Sequence, residues 1–426
     1  MDTTASDFLV VHPTGNTYVR NDLRALFEAG RLRRFLTGLG FSRTSFLGRL
    51  SGPAGWRQEI GRRAYDLPEN LIHAAPLREF TRLVAARLGL HALTRHETGW
   101  ACVDAVFHQL DALGAREIDE SGPSSATARA VLTYEDGAEQ TLTAARRTGW
   151  TGVYHLPIAY GPYARHLFLE EAARLPAWAP TLQGDRDSPA KLARKERELN
   201  LADLIVCPSR FVLESLPESV RRAKPCHIVP YGAPLVPQLA IPDPRDSTPA
   251  RPLRLLFVGA LSQRKGLADI FAALRLLGCP PDIELVLLGQ PCASWEFYRG
   301  FGVPFTYEAP RANAAILDLM SRCDALVLPS IVECRAIVQL EALSRGLPLL
   351  VSPNAGGEDL VTPGETGFLV PIRQPEALAE KISWLREHRV NLPVMRAACR
   401  ARAAAVSWAA YRTRLLEVLL PAPPHS

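Results

Sequence analysis

Asp324–Gly346 reads DALVLPSIVECRAIVQLEALSRG, and the fold follows from this stretch. Its first seven residues are apolar almost throughout, as expected of a strand buried on both faces of a parallel sheet. A short turn follows, then a helical pattern from about Ala336 to Arg345. Strand, turn and helix in this order leave N–H groups unpaired above the strand end, a geometry that suits a diphosphate. Glu333 stands just before the helix and Glu341 inside it, with seven residues between them. Carboxylates accept paired hydrogen bonds from vicinal hydroxyls, so a sugar and a ribose are natural partners. The plainer alternative is a helix-start acid favoured by the macrodipole plus a surface glutamate.

Working outward, the second half repeats the pattern. Strands are expected at Leu253–Gly259, Ile283–Gly289, Pro304–Glu308 and Leu347–Ser352, with helices near Leu267–Leu277 and Ala312–Arg322. Alternation of this kind argues a doubly wound sheet, which binds ligands at the carboxyl ends of its strands. At one such end stands FVGALSQRKG (Phe257–Gly266), where Gly259 permits close backbone approach and Arg264 and Lys265 can neutralise a phosphate. Lysine is informative here, because only Lys191, Lys195, Lys224, Lys265 and Lys381 accompany 44 arginines. A solvated basic turn is the alternative.

The first half is less regular, with strands expected at Asp7–Val11, Ala130–Tyr134, Gly152–His155, Leu204–Cys207 and His227–Pro230. Ile60–Ala75 fits no element. Gly232–Pro252 carries six prolines in 21 residues, a poor helix or central strand and a good semi-rigid linker. The expected organisation is therefore a Rossmann-like domain over 1–235, a linker over 236–252 and a second Rossmann-like domain over 253–405. A closing helix and tail over 406–426 is expected to cross back to the first domain.

A chain of 426 residues with 47% hydrophobic and 22% charged residues suits two or three globular domains and excludes disorder, collagen and coiled coil. The net charge of +5 is unevenly spread. Ten arginines between Arg20 and Arg63 face only Asp22, Glu28 and Glu59 there, a local +7. Phe27, Phe35, Phe41, Phe46 and Trp56 interleave with them, which suits a surface resting on anionic lipid or meeting an acidic acceptor, or ordinary helix packing. Nucleic acid is not an expected partner. MDTTASDFLVV does not read as a signal peptide, no long apolar run reads as a membrane span, and the eight cysteines lack zinc spacing. A cytoplasmic location, with peripheral contact at the inner membrane face as an option, is the expectation.

The second half resembles the nucleotide-sugar domain of glycosyltransferase family 4, bacterial group 1 enzymes that are retaining and have the GT-B fold of two Rossmann-like domains facing a cleft. Pro329-Ser330-Ile331-Val332-Glu333 through Glu341-Ala342 and Gly346-Leu347-Pro348 resemble the family's Glu-x7-Glu element. Ala355-Gly356-Gly357, Gly364–Pro371, Val229–Gly232 and Trp408 resemble its further stretches. The resemblance implies an enzyme moving a sugar from a nucleotide-diphosphate sugar to a hydroxyl of a saccharide, glycolipid or metabolite, without a metal or cofactor. It implies that Glu333 contacts donor-sugar hydroxyls and Glu341 the ribose, while Arg264, Lys265 and the N–H groups of Ala336 and Ile337 hold the diphosphate. His155 and Asp136 join Glu333 as implied catalytic residues. Gly15, Asn16, Arg20 and Glu135 are expected to line the cleft on the acceptor side.

Two departures stand out: Ala260 replaces the family's frequent arginine, and the turn Glu333-Cys334-Arg335-Ala336 lacks its usual glycines. Alternatives are a phosphorylase or epimerase on the same fold, or a non-catalytic binding partner. A nicotinamide dehydrogenase is disfavoured because no Gly-x-Gly-x-x-Gly follows an expected strand. Asp185-Arg186-Asp187 reads as a loop before a cap at Ser188-Pro189, and Lys191–Glu198 as a solvated charged helix face.

Overall fold

The computed structural model describes residues 7–45, 59, 61–123, 128–182, 187–234 and 251–420. The expected linker therefore lies outside the described residues apart from Arg251 and Pro252, as do Asp185, Arg186, Phe46, Trp56 and the tail after Leu420.

In the first half, β1 (Asp7–Val11), β2 (Leu32–Thr37), a short pair β3 (Phe41–Ser42) and β4 (Ala64–Tyr65), β5 (Ile72–Ala74), β6 (Arg129–Tyr134), β7 (Thr151–His155), β8 (Leu204–Cys207) and β9 (Cys226–Ile228) follow one another. Seven of them form one parallel sheet in the order β5-β2-β1-β6-β7-β8-β9. The chain moves outward from β1 in both directions, so the switch point falls beside β1, where Val10 sits between Phe35 and Leu132. The centre is apolar because helices cover both faces: Leu9, Val10, Val131 and Leu132 are fully buried.

β2 and β5 were not legible in the sequence. LRRFLT carries two arginines at its centre, yet Phe35 is fully buried. Arg34 reaches Glu117 at 2.7 and 2.8 Å, and Arg33 donates to Ser121 at 2.9 Å and lies over the Trp150 ring. Their aliphatic stems cover the sheet while the charges leave it.

The second sheet is the clearer one: β10 (Leu253–Val258), β11 (Ile283–Leu288), β12 (Thr306–Glu308), β13 (Ala325–Leu328), β14 (Leu349–Val351) and β15 (Gly367–Leu369). All are parallel, in the order β12-β11-β10-β13-β14-β15, with Phe257 opposite Leu287. Helices Leu267–Leu276, Asn313–Ser321 and Ile337–Ser344 fall within the three expected stretches.

The helix Trp408–Leu419 packs against the helix Thr17–Glu28. Tyr411 donates to Asp22 at 2.5 Å, Arg412 donates to Asn21 at 2.9 Å, and Ser407 pairs with Ala233. Chain end and chain start are thus joined through buried polar contacts.

Lys191–Glu198 corrects an expectation. Ser188 does cap the helix Pro189–Leu201, accepting from the Lys191 N–H at 3.2 Å, but the face is not solvated. Lys191, Lys195 and Glu198 are buried. Sequence spacing shows alternating charge; it does not show that the partners come from other elements.

Candidate functional site

The loop after β10 is built from its anchor outward. Gln263, fully buried, begins a single 3-10 turn over Gln263–Lys265. Its amide donates to Glu171 and Asp269, both at 2.7 Å, and its Oε1 accepts from the Ala268 N–H at 2.7 Å. Its own N–H donates to Thr181 Oγ1 at 3.0 Å. Arg174 holds Asp269 at 2.9 Å and Arg373 holds Glu171 at 2.7 Å, so both buried carboxylates are paired. Gly266 closes the turn at φ +78°, and a Cβ there would sit 2.2 Å from the Pro329 carbonyl. The loop is thereby pressed onto the end of β13, and Arg264 and Lys265 are fixed over it. None of Gln263, Glu171, Asp269 or Arg373 was singled out from sequence, because their partners are far along the chain.

Glu333 meets these two cations directly. Arg264 Nη2 is 3.2 Å from Glu333 Oε1, and Lys265 Nζ bonds Oε2. Arg264 Nε donates to the Val332 carbonyl at 3.1 Å, and the Ile331 N–H donates to the Arg264 carbonyl at 2.9 Å. Burial alone would raise the Glu333 pKa, but the charges of Lys265 and Arg264 outweigh it and hold the carboxyl below the usual range. The residues expected to hold a diphosphate and a sugar are closed on one another as a partly buried triad.

One expected phosphate donor is corrected. The Ala336 N–H donates to the Ala355 carbonyl at 3.2 Å, so it is already committed. The helix begins at Ile337, whose N–H has no acceptor inside the helix. Arg335, between the two positions where the family has turn glycines, is fully buried; it donates to Tyr231 O at 3.1 Å and Gly356 O at 3.2 Å and pairs with Asp359. Glu341 is half-buried, accepts from Asn313 Nδ2 at 2.7 Å, and has its pKa raised by burial. Gly259 leaves β10 at φ +142° and lies against Gly289, whose Cβ would fall 1.8 Å from the Gly259 carbonyl.

Across from the triad lie Glu135 and Asp136, at the end of β6. A cavity of about 260 Å³ is lined by Glu135, Asp136, Asp187, Lys195, Arg264 and Val332 among others, so the two halves share it. Asp136 has φ +81°, uncommon for a non-glycine residue, and its N–H donates to Glu198 at 3.1 Å. Lys195 lies 3.5 Å from Glu135, 3.4 Å from Asp136 and 2.9 Å from Asp187. Burial pushes Glu135 well above the usual carboxylate range, Lys195 offsetting part of the rise while Asp136, Glu198 and Asp187 add to it. Burial likewise lifts Glu198 to about 7.

His155 does not open into this cavity. It is fully buried, with Nδ1 at 3.5 Å from Asp22 and Nε2 at 3.3 Å from the Tyr231 hydroxyl. The tyrosines Tyr18, Tyr134 and Tyr231 surround its ring. Reaching a bound sugar would require this packing to part, so a direct catalytic contact is not what this arrangement provides.

In the same half as Glu135, Gly15 and Asn16 follow β1, and Arg20 braces them. Arg20 donates to Gly15 O at 2.9 Å, Ala64 O at 2.7 Å and Arg62 O, and lies 4.6 Å over the Tyr65 ring. His12, just before this loop, is buried, and burial pushes its pKa down to about 4, the Thr14 and Asp22 contacts offsetting only part. Since the folded value lies below the ordinary 6.5, the stability His12 contributes is present above pH 6.5 and lost as pH falls toward 4. The loss is about 3 kcal/mol. Denaturant melts of wild type and His12→Asn across that window should show a shallower acid decline in the variant; parallel curves would refute it.

His96, Glu97 and Asp187 place three ligand-type atoms within 4.8 Å of one another. Lys191 and Lys195 already lie 3.1 and 2.9 Å from Asp187, so its charge is taken by side chains. Among the described residues, no helix is long and apolar enough to cross a membrane.

Two parallel doubly wound sheets with a shared cleft are the GT-B architecture. Residues 243–405 match the family described as glycosyl transferases group 1. Sucrose-phosphate synthase from Thermosynechococcus elongatus superposes with a TM-score of 0.59 at 18% identity, covering 96% of this chain and 97% of that one. HepE from Anabaena, in complex with UDP, does so at 0.57 and 16% identity, covering 97% and 99%. In sequence, glycogen synthase from Mycobacterium tuberculosis is 33% identical over 137 residues, 31% of this chain and 33% of its own length. D-inositol 3-phosphate glycosyltransferase 1 from Catenulispora acidiphila is 27% identical over 259 residues, 54% of this chain and 60% of its own. The match thus spans from a third to less than two thirds of these two relatives.

Proposed function

We propose that the chain is a retaining, metal-independent glycosyltransferase that moves a sugar from a nucleotide-diphosphate sugar to an acceptor hydroxyl. The observation that carries this reading is the Arg264–Lys265–Glu333 triad at the carboxyl end of the second sheet, whose Arg264 lines the cavity shared with Glu135 and Asp136. A diphosphate entering the cleft offers oxygen anions that compete for Arg264 and Lys265. Its arrival releases Glu333 to accept hydrogen bonds from the donor sugar. Charge develops on the leaving diphosphate as the glycosidic bond breaks, and the two cations are fixed where it forms. Their charge is what makes a metal dispensable in this reading. The departing phosphate takes the acceptor proton on the same face, so no enzyme nucleophile is needed and configuration is retained. Closure of the halves excludes water that would hydrolyse the donor.

The reading is supported by the family of the second half and by the GT-B fold. The test is thermal stabilisation by a panel of UDP-, GDP-, ADP- and dTDP-sugars, followed by nucleoside diphosphate release with and without acceptor and chelator. Stabilisation by one class, with release that requires an acceptor and survives chelation, is expected. Binding without release would mark a non-catalytic protein, and acceptor-independent conversion an epimerase.

A further inference from the structure

Among the described residues of the Arg20–Arg63 segment, the arginines do not all share one outward face: Arg63 is buried while Arg24 is exposed. Phe35 is fully buried and Phe41 buried, so these two aromatics serve the core rather than a lipid surface. Arg20, Arg43, Arg62 and Arg63 instead converge with Arg82 on a cavity of about 950 Å³. Thr14, Gly15 and Asn16 line one side of it, and Ile337, the first residue of the helix behind Glu333, lines another. The cavity therefore runs from the arginine wall to the neighbourhood of the triad.

The five arginines differ in what already holds them. Arg63 is fixed between Glu79 at 2.6 Å and Glu59 at 2.7 Å, and Arg82 is bonded to Glu79 at 2.7 and 2.8 Å. These two build the wall. Among the described residues, Arg43 pairs with exposed Asp66 at 2.6 Å and Arg62 with Glu59 at 3.4 Å, and both side chains are more than half exposed. Exposed pairs of this kind are worth little and exchange readily for a better anion. The hydrogen bonds of Arg20 go to carbonyl oxygens, which do not cancel its charge. Five arginines against Glu59, Asp66 and Glu79 leave a net charge of +2 around the space.

We propose that this cavity seats a phosphate monoester carried by the acceptor, so that the transferase acts on a phosphorylated hydroxyl compound. A phosphate monoester carries about −1.5 to −2 at neutral pH and three acceptor oxygens, matching a pocket of converging guanidinium forks. A neutral sugar would leave the surplus charge unmatched. The space is of the size that holds a small molecule whole. The assignment rests on the transferase reading for its consequence, but its binding test does not. The same phosphate chemistry is found on soluble sugar phosphates and on phosphoinositide headgroups; the proposal commits to the soluble source, and the vesicle arm of the experiment tells the two apart.

The experiment measures binding of glucose 6-phosphate, inorganic phosphate and glucose by calorimetry and thermal shift, beside flotation with phosphatidylinositol 4-phosphate vesicles. Wild type is compared with Arg43→Ala/Arg62→Ala. The expected result is millimolar or tighter binding of glucose 6-phosphate and phosphate, at least tenfold weaker binding of glucose, and at least a tenfold loss in the double variant at unchanged melting temperature. Arg43→Lys/Arg62→Lys should recover part of the loss. Equal binding of glucose and its phosphate overturns the proposal, as does an unaffected double variant or binding to vesicles alone. Absent binding of both soluble phosphates also overturns it. Nucleotide stabilisation is read in parallel: if it is missing while phosphate binding persists, the transferase reading has failed and the phosphate site has not.

Discussion

Lys265→Ala and Glu333→Ala are each expected to cut transfer at least about tenfold, roughly 1.4 kcal/mol or more of transition-state stabilisation. They should do so in different ways. Lys265 is bonded to Glu333 in this structure, and in the proposed reading it turns to the diphosphate when donor binds. Removing it takes away a charge that stabilises both the bound donor and the leaving group, so nucleoside diphosphate Kd and kcat both worsen. Glu333→Ala frees Arg264 and Lys265 from a carboxylate that a diphosphate must displace. Nucleoside diphosphate alone should then bind as tightly as in wild type or tighter, while kcat falls because the sugar has lost its hydroxyl partner. Titration with the nucleoside diphosphate, beside steady-state kinetics of both variants, checks the split. Near-native turnover in both would sink the site, and weaker nucleotide binding in Glu333→Ala would refute the competition between carboxylate and phosphate.

The same residues show what a sequence can and cannot display. LRLLFVG and IELVLLG were legible as strands because both faces of the second sheet are covered and nearly every position is apolar; the exceptions, Arg254 and Glu284, pair with each other at 2.8 Å. DALVLPS was legible for the same reason, and the turn and helix after it located Glu333. LRRFLT was not, because two arginines at an edge-ward strand look like surface until Glu117 and Ser121 arrive from a helix some eighty residues later. The charged run after Ser188 misled in the opposite sense: Lys191, Lys195 and Glu198 carry the periodicity of a solvated face yet are buried among Asp104, Asp136, Asp187 and Tyr154. Charge in a sequence names what must be compensated, not where. Gln263 is the sharper case. A polar residue in a basic loop looked incidental, and it is the anchor that sets the position of its two neighbours.

Asp22→Ala is expected to have the largest effect on stability, about 3–5 kcal/mol, and to release the chain end first. Asp22 is fully buried on the helix Thr17–Glu28 and accepts from Tyr134 at 2.6 Å and Tyr411 at 2.5 Å. Tyr134 belongs to the central sheet, Tyr411 to the last helix, and His155 Nδ1 lies 3.5 Å away. Alanine would leave two buried hydroxyls without their acceptor, each costing about 1–3 kcal/mol, as well as a small cavity. Tyr411→Phe removes one of the two bonds and leaves the carboxylate its Tyr134 partner, so it should cost about 1–2 kcal/mol. In the double variant the Tyr411 hydroxyl is no longer stranded, so its cost should fall short of the two single costs added together. Denaturant melts of the four proteins measure this coupling, and limited proteolysis after the helix start at Trp408 reports whether the terminal helix detaches before the sheet unfolds. Strict additivity, or a loss below about 1 kcal/mol in Asp22→Ala, would mean that the shared carboxylate does not tie the last helix to the first sheet.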